Sequence, residues 1–255
     1  MNIFTEKELR SPHALRNQEV ECGPCPVRAL DLFAGLSEQR AGEVLREVDH
    51  LLYAPGATIY QSAEKSPVVY VVRHGLLKLS HCLQNGDERI VRILKPGVTA
   101  GLEALFAEPY HHTAVMLTRG VLCRVPVDLL EQLDREIPDF HRQLLRQFHR
   151  SLNEAEAVLT DLSTGSAHGR VARLLLFLAR NHGTDAITLI SREDMGAILG
   201  ITTESASRIV AQFKRAGVLM HCKRDVCTGN LARLAEVARD ADANGKLRRA
   251  ALAGE

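Results

Sequence analysis

The side chains that could recognise a partner most specifically lie near residue 205, on one side of a predicted helix. Arg208 carries a guanidinium group that can bridge the O6 and N7 atoms of guanine, and Glu204 can accept a hydrogen bond from the N4 amino group of cytosine. Thr202, Thr203 and Ser207 lie beside them and add hydroxyl donors and acceptors. These groups suit the base edges in a major groove, so the sequence predicts double-stranded DNA as a partner.

A helix-turn-helix between residues 191 and 216 would present these side chains. Ser191 is expected to cap its first helix, and Gly200 to make the tight turn between the two helices. The second helix would begin at about Thr202. Its buried stripe at helical spacing would consist of Ala206, Ile209, Val210 and Phe213. An ordinary helical hairpin with solvated charges is the alternative, and the small residues Gly196 and Gly200 favour the DNA-binding motif.

The second group of reactive side chains is Cys22-Gly-Pro-Cys25, near the beginning of the chain. One interpretation is the dithiol of a thiol–disulfide oxidoreductase, which requires the first cysteine at a helix N-terminus that follows a strand. Another is a structural zinc site, which requires a second pair of ligands nearby, whereas Cys222 and Cys227 are distant in sequence. The surrounding residues meet neither requirement, so residue patterns alone leave the chemistry of this pair open.

The length and the net charge of the chain set limits on these interpretations. The chain has 255 residues and a formal net charge of +1, which is enough length for two modest domains and excludes no class of partner. No apolar run is long enough to span a membrane and no signal peptide opens the chain, so we expect a cytoplasmic protein that contacts no membrane. The six cysteines are then expected to be reduced thiols or metal ligands instead of a disulfide framework.

The elements that position these groups predict an α+β fold. A loose arm (residues 1–30) precedes a sensor domain (31–126), which opens with a short helix capped at Ser37 and continues as short β-rich runs separated by turn residues. Asn85-Gly86 is a strong hairpin signal between two of these runs. The pattern predicts an antiparallel β-roll, of the barrel or jelly-roll type.

A long helix (residues 127–162), interrupted near Pro138, is expected to follow the roll. Apolar residues recur along it at alternating spacings of three and four, namely Leu145, Phe148, Leu152, Ala155, Leu159 and Leu162. This spacing predicts a coiled-coil seam with a second copy of the chain, and packing of the helix on its own roll is the alternative. Then come a hinge (163–169), a winged helix-turn-helix domain (170–240) and a flexible tail (241–255).

This order of elements resembles the Crp/Fnr superfamily of bacterial transcription regulators, over residues 31–235. The most specific segments are GLEALFAEPYHHTAVMLTRGVLCRVP in the roll and TTESASRIVAQFKRAG in the second helix of the helix-turn-helix. Glu204, Ser207 and Arg208 reproduce the Glu-x-x-Ser-Arg pattern of the Fnr branch. The resemblance implies a homodimer that reads the half-site TTGAT and its inverted copy, acts with RNA polymerase and is not an enzyme.

The resemblance also implies a [4Fe–4S] cluster, because oxygen sensors of the Fnr branch bind one through amino-terminal cysteines and a later cysteine of the roll. Cys22, Cys25 and Cys123 match three of these positions. The fourth departs from the pattern: one family spacing leads to Asp31, whose carboxylate could bind iron, and a longer spacing leads to Phe33. A cofactor-free or thiol-redox-controlled regulator of the same fold, and more remotely a thiol–disulfide oxidoreductase, are the alternatives.

Cyclic AMP is not expected as the effector. Relatives that bind it place Gly-Glu on one side of the cyclic phosphate and Arg-Ser/Thr on the other. Here Gly101-Leu-Glu103 is followed by His112-Thr113, so the phosphate-pairing arginine is missing. A neutral imidazole is a poor substitute for a bidentate guanidinium group.

Overall fold

A computed structural model describes residues 18–19, 36–179, 185–223 and 225–239. The chain divides into two compact units, one ending at residue 152 and one beginning at residue 153, with residues 82–90 grouped with the second. The division between the units lies within a long helix, Phe140–Ser163.

The first unit contains the β-roll. Its first helix, α1 (Glu38–Glu47), begins as predicted after Ser37, whose hydroxyl accepts a hydrogen bond from the backbone N–H of Arg40 at 3.3 Å. The strands are β1 (Gln18–Glu19), β2 (Asp49–Tyr53), β3 (Thr58–Tyr60), β4 (Val68–His74), β5 (Leu77–Cys82), β6 (Glu88–Leu94), β7 (Thr99–Ala100), β8 (Thr113–Met116) and β9 (Gly120–Pro126). A short 3-10 helix (Leu102–Phe106) follows β7.

Two antiparallel sheets form this roll, in the orders β1-β2-β9-β4-β7 and β3-β8-β5-β6. Strand β9 has its residues from Gly120 to Cys123 buried, because β2 and β4 pair with its two edges and the apolar core covers its faces. The predicted Asn85-Gly86 turn joins β5 to β6, and Gly86 has a φ of 87°, which favours glycine. The predicted fold class is therefore confirmed for this domain.

The long helical region is split as the sequence predicts. Helix α2 (Val127–Glu136) begins directly after β9, and α3 (Phe140–Ser163) follows a break that contains Pro138. In the first half of α3 the side-chain amide of Gln147 donates to Thr99 Oγ1 at 2.5 Å and to the carbonyl of Gly97 at 3.3 Å. This part of α3 therefore packs on its own roll.

The second unit contains a winged helix domain. Its elements are α4 (Ala167–Ala179), β10 (Ala186–Thr188), α5 (Arg192–Leu199), α6 (Thr203–Arg215), β11 (Leu219–Lys223) and β12 (Val226–Gly229), followed by a helix at 231–239. The three strands form a sheet in the order β10-β12-β11. Helix α4 begins inside the predicted hinge because the hydroxyl of Ser166 accepts from the N–H of Gly169 at 3.2 Å and caps it. The hinge is thus shorter than predicted.

None of the helices in the described ranges is long and apolar enough to cross a membrane.

Candidate DNA-binding surface and sensor residues

Helices α5 and α6 meet in a tight turn whose geometry depends on two glycines. Gly200 ends α5 with a φ of 62°, in the left-handed region that favours glycine. A Cβ atom on Gly196 would lie 2.7 Å from the carbonyl oxygen of Ile201, which is backbone and cannot move aside. The hydroxyl of Ser191 accepts from the N–H of Asp194 at 2.9 Å and caps α5 as predicted. The predicted helix-turn-helix is confirmed.

Helix α6 separates its packing residues from its polar ones. The predicted inner stripe, Ala206, Ile209, Val210 and Phe213, is buried. The hydroxyl of Thr202 caps the helix by accepting from the N–H of Ser205 at 3.2 Å. The four side chains predicted to face outward are all exposed, and so is the capping residue Thr202; the four are Thr203, Glu204, Ser207 and Arg208. The beginning of α6 therefore presents five polar side chains that take no part in the core.

The ionisation of Glu204 is set by contacts within the first turn of α6 and by Arg208. The pKa of Glu204 is lowered, first by a hydrogen bond from its own backbone N–H, then by one from the Thr202 hydroxyl and by the positive charge of Arg208. Glu204 is therefore a carboxylate at neutral pH, which only accepts hydrogen bonds. Exposed Lys214 and Arg215 lie in the last turn of α6 and add positive charge.

The wing of this domain contains a disulfide, which corrects the expectation that all six cysteines are reduced thiols or metal ligands. Cys222 in β11 and Cys227 in β12 are bonded, with their Cα atoms 4.0 Å apart. The two strands pair with a register shift between Met220 and Lys223, and this irregularity lets the two cysteines approach. Cys82 is a free thiol that lies exposed at the end of β5.

Cys123 is the one predicted cluster ligand that lies among the described residues. It lies in β9 with none of its surface exposed. Its direct partner across the ladder is His50 of β2, and His50 Nδ1 lies 3.2 Å from Cys123 Sγ. Burial, and then the positive charge of Arg73, lower the pKa of His50, so its imidazole is neutral at neutral pH. His50 was not among the predicted site residues, because nothing in its local sequence pattern distinguishes it.

The other proposed ligands, Cys22, Cys25 and Asp31, lie outside the described residues. Strand β1 precedes these residues in the chain, and it pairs with β2 so that Glu19 lies opposite Leu51. Leu51 is the neighbour of His50 in β2. Cys22 is three residues after Glu19, a span of at most about 11 Å of extended chain. In the described ranges, no three histidine, cysteine or acidic side chains are grouped so that they could hold a metal ion.

The predicted seam on α3 is largely uncovered in the single chain. Leu145, Leu152 and Leu159 recur at intervals of seven and are 54%, 58% and 71% exposed. Phe148 and Ala155 are half-buried between them, and Leu162 at the end of the seam is buried. Apart from Leu162, the stripe is therefore an apolar helix face with little covering from its own chain.

The interior of the roll is filled by aromatic side chains. The rings of Tyr60 and Tyr110 stack with centroids 3.9 Å apart, Tyr70 lies 5.6 Å from Tyr60, and the Tyr110 hydroxyl donates to the carbonyl of Val68 at 2.7 Å. At the position of the missing arginine, burial is the main cause that lowers the pKa of His112, so this residue is uncharged at neutral pH. These residues provide no cation for a phosphate.

Comparison with known proteins gives two family matches. Residues 50–136 match the cyclic nucleotide-binding domain, and residues 169–237 match the Crp-like helix-turn-helix domain. The transcriptional activator protein FnrA of Stutzerimonas stutzeri is 29% identical over 64% of this chain and 70% of its own length. The fumarate and nitrate reduction regulatory protein of Escherichia coli (strain K12) is 23% identical over 86% of this chain and 90% of its own length.

A solved structure agrees with these matches. FixK2 from Bradyrhizobium japonicum is 26% identical, covers 74% of this chain and 96% of its own, and superimposes with a TM-score of 0.65. Both the roll and the helix-turn-helix described above thus occur together in a known protein.

Proposed function

The chain belongs to the Crp/Fnr family of transcription regulators, and from this premise we propose that it is a homodimeric, Fnr-type regulator gated by an iron–sulfur cluster. The family and its named relatives are transcription regulators and not enzymes, and a Crp-like helix-turn-helix domain implies DNA binding. In this proposal, RNA polymerase is the further partner.

The exposed polar side chains at the beginning of α6 are the observation that carries the proposal. Glu204 and Arg208 are one helical turn apart, so they project from the same side of α6. In this proposal, Arg208 donates to guanine O6 and N7, and Glu204 accepts from cytosine N4 on the other strand. Thr202, Thr203 and Ser207 supply hydroxyl contacts. A TTGAT half-site with its inverted copy offers these groups to two α6 helices.

The apolar stripe on α3 supports dimerisation through this helix. Its exposed leucines repeat every seven residues, which is the repeat of a two-stranded coiled coil. A second copy of the same helix is the occupant that this repeat fits, because identical heptads interdigitate along their whole length. Members of the family are dimers, and an inverted repeat in DNA requires a two-fold protein.

The surroundings of Cys123 fit an iron–sulfur ligand. A buried sulfur next to a neutral imidazole can bind iron as a thiolate without exposure to water, and the pairing of β1 with β2 leaves Cys22 within reach of the same strands. Cys22, Cys25 and Cys123 would hold the cluster, with Asp31 as the candidate for the fourth iron. When bound, a [4Fe–4S] cluster supplies an oxygen-labile link between the amino-terminal cysteines and β9.

The end of β9 connects Cys123 to the helical region that contains α3. Cys123 is three residues from Pro126, the last residue of β9, and α2 begins at the next residue without a loop. Restraint of the Cys123 sulfur therefore acts on the strand that leads directly into the helical region carrying the apolar stripe. We propose that loss of the link loosens the pairing of the two α3 helices and lowers DNA affinity, with a coupling of about 1–3 kcal/mol.

Cyclic AMP is not part of the proposal. Three tyrosines occupy the interior of the roll, and a neutral His112 stands where a phosphate would need an arginine. The carboxylate of Glu103 accepts from the backbone N–H of His111 at 3.3 Å, so it is engaged within its own loop.

The test is to purify the protein without oxygen, measure iron, sulfide and the visible absorption spectrum, and then measure binding to a TTGAT inverted repeat before and after exposure to air. We expect a brown protein that binds this DNA and loses affinity in air, while DNA with scrambled half-sites is bound weakly throughout. A colourless, iron-free protein that still binds the repeat would instead identify a cofactor-free regulator.

Thiol-redox control of the same regulator is the second candidate, favoured by the Cys222–Cys227 disulfide in the wing. In that case a reductant, and not removal of iron, would change the affinity for the inverted repeat.

A further inference from the structure

The side chains of His50 and Cys123 contact each other between two neighbouring strands of the roll. The two residues are directly paired in the antiparallel ladder of β2 and β9, so their side chains lie on the same face of the sheet. His50 Nδ1 lies 3.2 Å from Cys123 Sγ, within hydrogen-bonding distance for sulfur. His50 is 8% exposed and Cys123 is fully buried, so water does not compete for this contact.

The direction of this hydrogen bond depends on the state of the sulfur. A thiol can donate to a bare imidazole nitrogen, whereas a thiolate can only accept, so Nδ1 must then carry the hydrogen. The other ring nitrogen, Nε2, is buried and has no hydrogen-bonding partner within the described ranges. Among the described residues, the contact with sulfur is thus the one hydrogen bond of this ring, and no second hydrogen bond fixes a different orientation.

We propose that His50 donates its Nδ1–H to the sulfur of Cys123 when that sulfur is an iron ligand, and that it thereby sets the reduction potential and the oxygen lifetime of the cluster. This inference rests on the proposed cluster. Hydrogen bonds to ligand sulfurs are among the features by which proteins tune iron–sulfur potentials, because they draw electron density from the sulfur. Such a donor favours the more reduced state, so its removal should lower the potential and make oxidation easier.

Two variants separate the hydrogen bond from the volume of the ring. His50→Leu removes the donor and keeps an apolar side chain of similar size. His50→Asn retains an N–H donor close to the position of Nδ1. We expect the parent protein and both variants, purified without oxygen, to contain iron and sulfide. The potential should be lower in His50→Leu, and its visible absorption should decay in air about 3- to 10-fold faster, which corresponds to one ordinary hydrogen bond. His50→Asn should remain close to the parent.

A measurement on the parent keeps the inference testable even if His50→Leu does not fold. Transfer into D₂O should shift the iron–sulfur stretching bands in the resonance Raman spectrum, because the proposed hydrogen is exchangeable. Equal potentials and equal decay rates for His50→Leu and the parent would overturn the role of His50. So would a directly bound histidine nitrogen in the magnetic resonance spectrum of the reduced cluster, because His50 would then be a ligand. An iron-free parent would overturn the cluster itself, and this inference with it.

Discussion

The exposed stripe on α3 leads to a quantitative prediction about dimerisation. A leucine that passes from full exposure to full burial contributes about 1.5–3 kcal/mol. Leu152 is 58% exposed in the single chain, so covering it contributes roughly 1–2 kcal/mol per subunit and about 2–4 kcal/mol per dimer. Leu152→Ala removes most of that side chain. It should therefore raise the dimer dissociation constant by about 10- to 100-fold, since 1.4 kcal/mol is a factor of ten.

Leu152→Glu should act more strongly. It would place two carboxylates, one from each subunit, in the seam, at a cost of several kcal/mol. Sedimentation equilibrium at a series of protein concentrations measures both dissociation constants. Ala157→Glu is the matched control, since Ala157 is exposed on α3 but lies five residues after Leu152, on the opposite side of the helix from the seam. A Leu152→Glu protein as dimeric as the Ala157→Glu protein would refute the assignment of this face to the interface.

Three further predictions concern the winged helix and the sensor. Arg208→Ala should weaken binding to the TTGAT repeat by about 1–3 kcal/mol per half-site at fixed salt and relax the preference for guanine, as measured by fluorescence anisotropy; unchanged affinity would contradict the proposed orientation of α6. Gly196→Ala should lower the unfolding free energy by about 1–3 kcal/mol in a denaturant titration, because its Cβ would meet the carbonyl of Ile201, and full stability would contradict this packing. Cys22→Ser should abolish iron binding, while Cys227→Ser should leave the iron content unchanged; equal iron in both would remove Cys22 from the ligands.

Local signals were sufficient to predict the elements that caps and turns define. Ser191 and Thr202 cap their helices through side-chain oxygens, and Gly200 ends α5, because these effects depend on residues within one turn. The alternation of buried and exposed positions along α6 follows from the same local periodicity. The order of the domains could be predicted because such local signals mark the elements, and because that order resembles a known family.

Features that depend on strand register could not be predicted in the same way. His50 and Cys123 are 73 residues apart and meet only because β2 and β9 pair in one particular register. A shift by one residue would turn His50 to the other face of the sheet. The Cys222–Cys227 disulfide likewise depends on an irregularity between β11 and β12, and the short hinge depends on the cap that Ser166 provides.

The separation of surfaces on α6 has a consequence for how such a regulator can change its targets. The residues proposed to read bases are exposed, and the residues that hold the helix in place are buried on the opposite side. Substitutions at exposed positions outside caps and cores usually change stability by no more than about 0.5 kcal/mol. Positions 203, 204, 207 and 208 can therefore vary with little effect on folding. This scaffold is suited to the design or natural divergence of regulators that keep one sensor and address different promoters.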